Sequence, residues 1–164
     1  MSDYRIFANH AHLFPKNTKP DGDIDYLKSL MDECGIEKAV CFAPFQSQME
    51  RYELTQNANE WVANEIKNDE RFVGFGTVHF DIGNLKEQVK QIADLGLLGI
   101  KIHPAAQEVK IDSPELFEVY EQAQEDNLFL SFHTVKLLFR NKMNSCIVFI
   151  EIVFHCNYLV FNSL

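Results

Sequence analysis

His10-Ala11-His12 closes the first apolar run of the chain, Tyr4-Arg5-Ile6-Phe7-Ala8. On a β-strand, side chains two residues apart point to the same face, so both imidazoles project from one side of the strand's C-terminal end. Two neutral imidazoles a few ångströms apart on one rigid element make half of a site for a divalent metal ion. The step alone is weak evidence: with 6 histidines in 164 residues, composition produces it in about one chain in five. Lys101 and His103 repeat the spacing further along and share a face in the same way. A lysine aimed into such a site can be carboxylated to bridge two ions, stay an ammonium that binds a substrate carboxylate, or snorkel at a rim. Lys101 and His103 are therefore the candidate catalytic residues, and His10 and His12 the candidate metal ligands.

The elements that must position these groups are read from hydropathy. Short apolar runs lie at Tyr4–Asn9, Lys38–Ala43, Phe72–His79, Leu98–His103 and Leu128–His133. They are rich in Val, Ile and Phe and continuous rather than alternating, as strands buried on both faces are. Their starts lie roughly 26 to 34 residues apart, the length of a strand-crossover-helix unit. Between them run four helical stripes: Ile24, Leu27, Leu30, Met31 and Cys34; Leu54, Ala58, Trp61, Val62 and Ile66; Leu85, Val89, Ile92 and Ala93; and Leu116, Val119, Tyr120 and Ala123. Gly35 and Gly96 stand as C-terminal caps, and Ser113-Pro114 opens the fourth stripe with a capping residue and a proline at the first helical position. Strict alternation of strands and helices predicts a parallel α/β sheet.

In such sheets functional groups gather at the C-terminal ends of the strands. His10 and His12 end the first predicted strand, His79 the third, His103 the fourth and His133 the fifth. His79 is assigned to the rim or a loop. Each histidine alone is accounted for by a hydrogen bond near a sheet end, but five of the six in such places argue jointly for a site.

The hydrophobic content is 46%, the charged content 24% and the net charge −9. That is the make-up of a soluble globular chain, and it argues against nucleic acid or an anionic membrane as a partner. Cys34, Cys41, Cys146 and Cys156 show no CxxC spacing and sit in apolar sequence, so buried free thiols in a reducing compartment are expected. With no basic-then-apolar leader, the expected location is the cytoplasm.

Residues 135–164 differ in character. They lack Gly, Pro, Ala, Asp, Thr and Gln, and Glu151 is their only acid. Cys146–Phe154 is strand-like but too short to cross a bilayer. The expected organisation is residues 1–134 as the N-terminal part of a barrel and 135–164 as an atypical apolar tail, read as an out-of-frame, read-through or intron-derived terminus of a truncated product.

The segments Ile6-Phe7-Ala8-Asn9-His10-Ala11-His12-Leu13-Phe14-Pro15, Gly99-Ile100-Lys101-Ile102-His103-Pro104 and Phe132-His133-Thr134 together resemble the amidohydrolase superfamily. The nearest branch is the amidohydrolase-2 group of TIM-barrel metal-dependent hydrolases and decarboxylases. Order, spacing and strand-end placement match over residues 4–134. The resemblance implies an α/β fold, here an incomplete (β/α)8 TIM barrel of about five βα units. It also implies that His10, His12 and His133 bind a divalent ion, usually zinc, which acidifies a water for attack on a carbonyl or polarises a carboxylate-bearing substrate.

The sequence departs from the family pattern in three ways. Ala8, beside Asn9, occupies a place the family often gives to aspartate. Five strands are recognisable rather than eight. The sixth-strand histidine and eighth-strand aspartate have no counterpart, and His155, with no family-like glycine after it, is not assigned to the former. The expected function is hydrolysis of a small carbonyl or carboxylate compound by a metal-activated water. The alternatives are decarboxylation within the same superfamily, a phosphoesterase of the same barrel type, or a catalytically incompetent fragment that homo-oligomerises through an unpaired fifth strand. Without the late aspartate, negligible turnover is expected.

Overall fold

A computed structural model describes residues 5–133 and 151–155 of the chain. Five parallel strands, β1 (Ile6–His12), β2 (Ile36–Phe42), β3 (Phe72–Gly76), β4 (Gly99–Ile102) and β5 (Phe129–His133), lie side by side in chain order. A sixth strand, β6 (Glu151–His155), pairs with β5 in the antiparallel sense. Each parallel step is bridged by helix: α1 (Ile24–Cys34), α2 (Gln46–Arg51) with α3 (Ala58–Ile66), α4 (Leu85–Asp94) and α5 (Pro114–Glu125). This is a half-barrel of α/β units: the alternation predicts the parallel sheet, and the family resemblance implies the barrel.

The helices form where the stripes and caps place them, except that Leu54 of the second stripe lies in the loop before α3, which starts after Asn57. Asp23 accepts from the Tyr26 N–H at the start of α1, and Gly35 ends that helix in the left-handed region at φ 67°, its N–H bonded to the Met31 carbonyl. A side chain there would strain the backbone, so glycine sets the stop. Asn57 caps α3 through the N–H groups of Asn59 and Glu60, and Ser113 caps α5 through that of Leu116. The short α2 has no counterpart among the predicted stripes, because Met49 is its one buried residue and six residues give no readable period.

Alternation along the strands divides the core in two. Ala39, Cys41, Ile100, Ile102, Leu130 and Phe132 pack outward against the helices in the larger cluster. Val40, Phe42 and Phe75, with Val73 and Phe129, form a smaller cluster on the inner face. Gly74 and Gly76 let the helices close on β3: a Cβ on Gly74 would lie 2.4 Å from Leu97, and one on Gly76 2.8 Å from Ile92. A larger residue at either position would force the side chains of Leu97 and Ile66, or of Ile92 and Asn59, to move.

Two expectations need correction, on the fifth strand and on Cys34, while His155 falls where the sequence reading left it. The fifth strand is not unpaired: β6 covers it, because antiparallel pairing satisfies the edge hydrogen bonds that a parallel strand would need another crossover to reach. Cys34 is exposed, since it ends α1 beside Gly35, whereas Cys41 is buried on β2; both are free thiols. His155 does not take a sixth-strand place. Its register partner is Phe129, at the start of β5, so it lies at the opposite end of the sheet from His133. The tail reading, with Cys146 and Cys156, otherwise falls outside the described residues. No helix among the described residues is long and apolar enough to cross a membrane.

Candidate functional site

The inner face of the sheet carries the polar groups. On β2 and β3 this face shows Val40, Phe42, Val73 and Phe75. On β4 and β5 the same alternation gives Lys101 and Ser131. His10 and His12 join them from β1, with ring centroids 4.8 Å apart, edge to face. A register irregularity lies between Ala8 and Ala11. Both imidazoles still reach one side, each against the Phe42 ring at 4.8 and 5.4 Å. Both histidines are exposed, because β1 is the first strand of the sheet rather than an enclosed one.

Phe42 also receives Lys101. The ammonium sits 4.4 Å from its ring centroid, a cation–π contact in a desolvated setting. Lys101 is only 1% exposed, so it is an interior cation and not a snorkelling rim lysine. Its Nζ donates to Ser131 Oγ at 3.4 Å. Phe42 therefore joins the histidine pair to the buried lysine. Nothing in the sequence marks it, since an apolar residue in an apolar strand carries no chemical signature.

His103 is held at the end of β4 by its own loop. Its N–H donates to Gln107 Oε1 at 2.7 Å, and Gln107 Nε2 donates to the Val78 carbonyl at 2.8 Å, tying the loops after β3 and β4 together. The Ala106 N–H donates to His103 Nδ1 at 3.1 Å. With Nδ1 accepting, the neutral ring carries its proton on Nε2 and presents a donor there. Burial lowers the His103 pKa and the charge of Lys101 adds to this, against an opposing backbone hydrogen bond, a shift toward the neutral ring. His133 stacks on His103 with centroids 4.1 Å apart and planes within 13°.

His79 lies in the loop after β3, where the sequence reading assigned it. Its backbone is clamped on both sides by the Gln88 side chain. Burial lowers its pKa, partly offset by Glu50 and Asp81. It lines a cleft of about 360 Å³ with Phe45, Phe80, Asp81 and Gln107.

The predicted residues thus fall into two pairs joined by the buried cation: His10 with His12, and His103 with His133. Two exposed imidazoles on one strand fit half of a metal's ligand set. Among the described residues, no three His, Cys, Asp or Glu side chains stand close enough to hold an ion together. The described residues by themselves do not assemble a complete metal site.

A family model described as amidohydrolase matches residues 10–155. The 2-amino-3-carboxymuconate-6-semialdehyde decarboxylase of Dictyostelium discoideum is 24% identical over 107 residues, 63% of this chain and 30% of that protein. Among solved structures, a 5-carboxyvanillate decarboxylase from Sphingomonas paucimobilis aligns over 79% of this chain and 51% of its own, with TM-score 0.62 and 16% identity. A probable 2-pyrone-4,6-dicarboxylic acid hydrolase from Acinetobacter baumannii aligns over 80% of this chain and 50% of its own, with TM-score 0.56 and 16% identity. The chain spans about half the length of these structures and less than a third of the curated relative.

Proposed function

The chain belongs to the amidohydrolase family, and from that membership we propose that it supplies the first five strands of a barrel that hydrolyses a small carboxylate-bearing compound. The observation that carries this reading is the buried Lys101 ammonium, joined through Phe42 to the His10–His12 pair. A cation held out of water is worth far more to an anionic substrate than one at the surface. The substrates named for the three relatives all carry carboxyl groups, which agrees with this.

In this reading His10 and His12, with His133 as third donor, would hold a divalent ion, zinc first, which when bound supplies a Lewis acid and an acidified water. Lys101 binds the substrate carboxylate. His103, neutral and protonated on Nε2, donates a hydrogen bond to a developing oxyanion. Phe42 keeps water from the lysine. The partner is a small molecule, and the proposed setting is the cytoplasm, in keeping with the free thiols of Cys34 and Cys41. Decarboxylation is the second reading, favoured by the two decarboxylases among the relatives. The same cation would then anchor a carboxylate that is retained.

Zinc content after loading and gel filtration tests the ligand assignment. The purified 164-residue chain is expected to retain zinc at well under one ion per molecule, as an incomplete ligand set does, and His12→Ala and His133→Ala to retain at least tenfold less than that. Equal retention by all three proteins would overturn it.

A further inference from the structure

Thr77 follows β3 and is 2% exposed, and its Oγ1 has no hydrogen-bond partner among the described residues. Leaving a buried hydroxyl unsatisfied costs about 1–3 kcal/mol. Such an atom is uncommon enough in a folded protein to need a reason. The backbone of Thr77 is not the cause. Its N–H donates to Asn59 Oδ1 at 2.8 Å, and its carbonyl accepts from Asn59 Nδ2 at 2.9 Å, so α3 fixes this residue from outside.

The direction of the side chain follows from the alternation. Positions 74 and 76 face the helices, where a Cβ would meet Leu97, Ile66 and Ile92. Phe75 faces inward, and the next position of that phase is Thr77. Register sets its level. Gly76 pairs with Ile100, so Thr77 stands beside Lys101, and Lys101 pairs with Ser131. The residue just past β3 and the two strands β4 and β5 therefore carry a hydroxyl, an ammonium and a hydroxyl on one face at one level. Neighbouring strands lie about 4.8 Å apart. Lys101 and Ser131 are 1% and 0% exposed.

We propose that Thr77, Lys101 and Ser131 form a carboxylate seat on the inner face of the sheet, in which Thr77 Oγ1 donates to one carboxylate oxygen. The arrangement suits the chemistry: an ammonium attracts a carboxylate, and flanking hydroxyls supply directed donors that an ammonium alone does not. The unsatisfied hydroxyl is then a binding group held ready by Asn59, at a cost in stability of the free chain. This rests on the reading that the substrate is a small carboxylate, and it assigns the residues that recognise that group.

The test uses isophthalate as probe and benzamide as uncharged control, titrated calorimetrically into the full 164-residue chain. Thr77→Val keeps shape and removes the hydroxyl. It is expected to weaken isophthalate binding about 10- to 100-fold, leave benzamide unchanged, and raise the thermal midpoint of the free protein by about 2–5 °C. Thr77→Ser is expected to restore affinity, and Lys101→Met to abolish isophthalate binding. A Thr77→Val protein with unchanged isophthalate affinity and a lowered midpoint would overturn the seat, as would a wild type that does not bind isophthalate. Zinc retention in the same variants separates the two readings. Threonine-dependent isophthalate binding supports the seat even where His12→Ala leaves zinc content unchanged, a result that would sink the metal assignment instead.

Discussion

Along β4, Ile100 and Ile102 pack outward against the helices while Lys101 between them faces inward, and along β5 Leu130 and Phe132 flank Ser131 in the same way. One backbone thus carries two surfaces with opposite physics. The outer face is continuous hydrocarbon, closed by helices whose approach is set by Gly74 and Gly76. Burial there removes apolar area from water and needs no partner chemistry. The inner face buries a cation, a serine and a threonine hydroxyl, each of which stabilises only when matched by another polar group. Hydrocarbon packing resides on the outer face and the buried polar groups on the inner one, one residue apart in sequence.

The sharpest contrast is in thiol reactivity. Burial pushes the Cys41 thiol up to about 12 from 9.0, whereas Cys34 is exposed. At pH 8 the Cys41 thiolate is then about a thousandfold scarcer than that of an ordinary thiol. Iodoacetamide, followed by peptide mass spectrometry, is expected to label Cys34 in the folded chain and Cys41 only after unfolding. Equal labelling of both in the native protein would break the picture of a closed outer face.

Truncation on the outer face comes next. Ile100→Ala should lower unfolding free energy by about 2–5 kcal/mol in urea. Lys101→Met, at the next position inward, should cost less, because methionine fills similar volume and leaves no cavity. Similar losses for the two would remove the distinction between the faces.

Asn59 links them, since an outer helix supplies both hydrogen bonds to the Thr77 backbone. Asn59→Leu is expected to cost about 1–3 kcal/mol, and hydrogen exchange at the Thr77 amide should rise more than at Phe75. An unchanged Thr77 exchange rate would show that Asn59 does not hold the strand end.

The smallest effect is in pH. Burial lowers the folded pKa of His79 below 6.5, so the unfolded chain takes up its proton first as pH falls. This contribution is whole above 6.5 and declines from there through the lowered folded value, where it levels off. His79→Gln should flatten the slope of stability against pH below 6.5. An unaltered slope would show that the loop after β3 does not titrate with folding.

Much of this architecture is local and therefore legible. The stripe Ile24, Leu27, Met31 and the stop at Gly35 place α1 at its observed bounds, because amphipathic period and a left-handed cap act within one turn. The five parallel strands appear within a few residues of their apolar runs. His10 with His12 was readable as a pair, since a period of two needs nothing from the rest of the chain.

What the sequence determined by itself was the succession of strands and helices, the outward apolar face, and the residue types at the strand ends. Tertiary structure decided which of those residues meet. That His103 stacks on His133, that Phe42 joins the histidine pair to Lys101, and that Thr77 stands level with Lys101 and Ser131 depend on register between strands about 30 residues apart. The antiparallel β6 beside β5, and the exposure of His10 and His12 on the first strand, depend on sheet order in the same way. Period and capping are short-range forces written into neighbouring residues. Register and sheet order are set by the packing of the whole sheet, and no local stretch of sequence carries them.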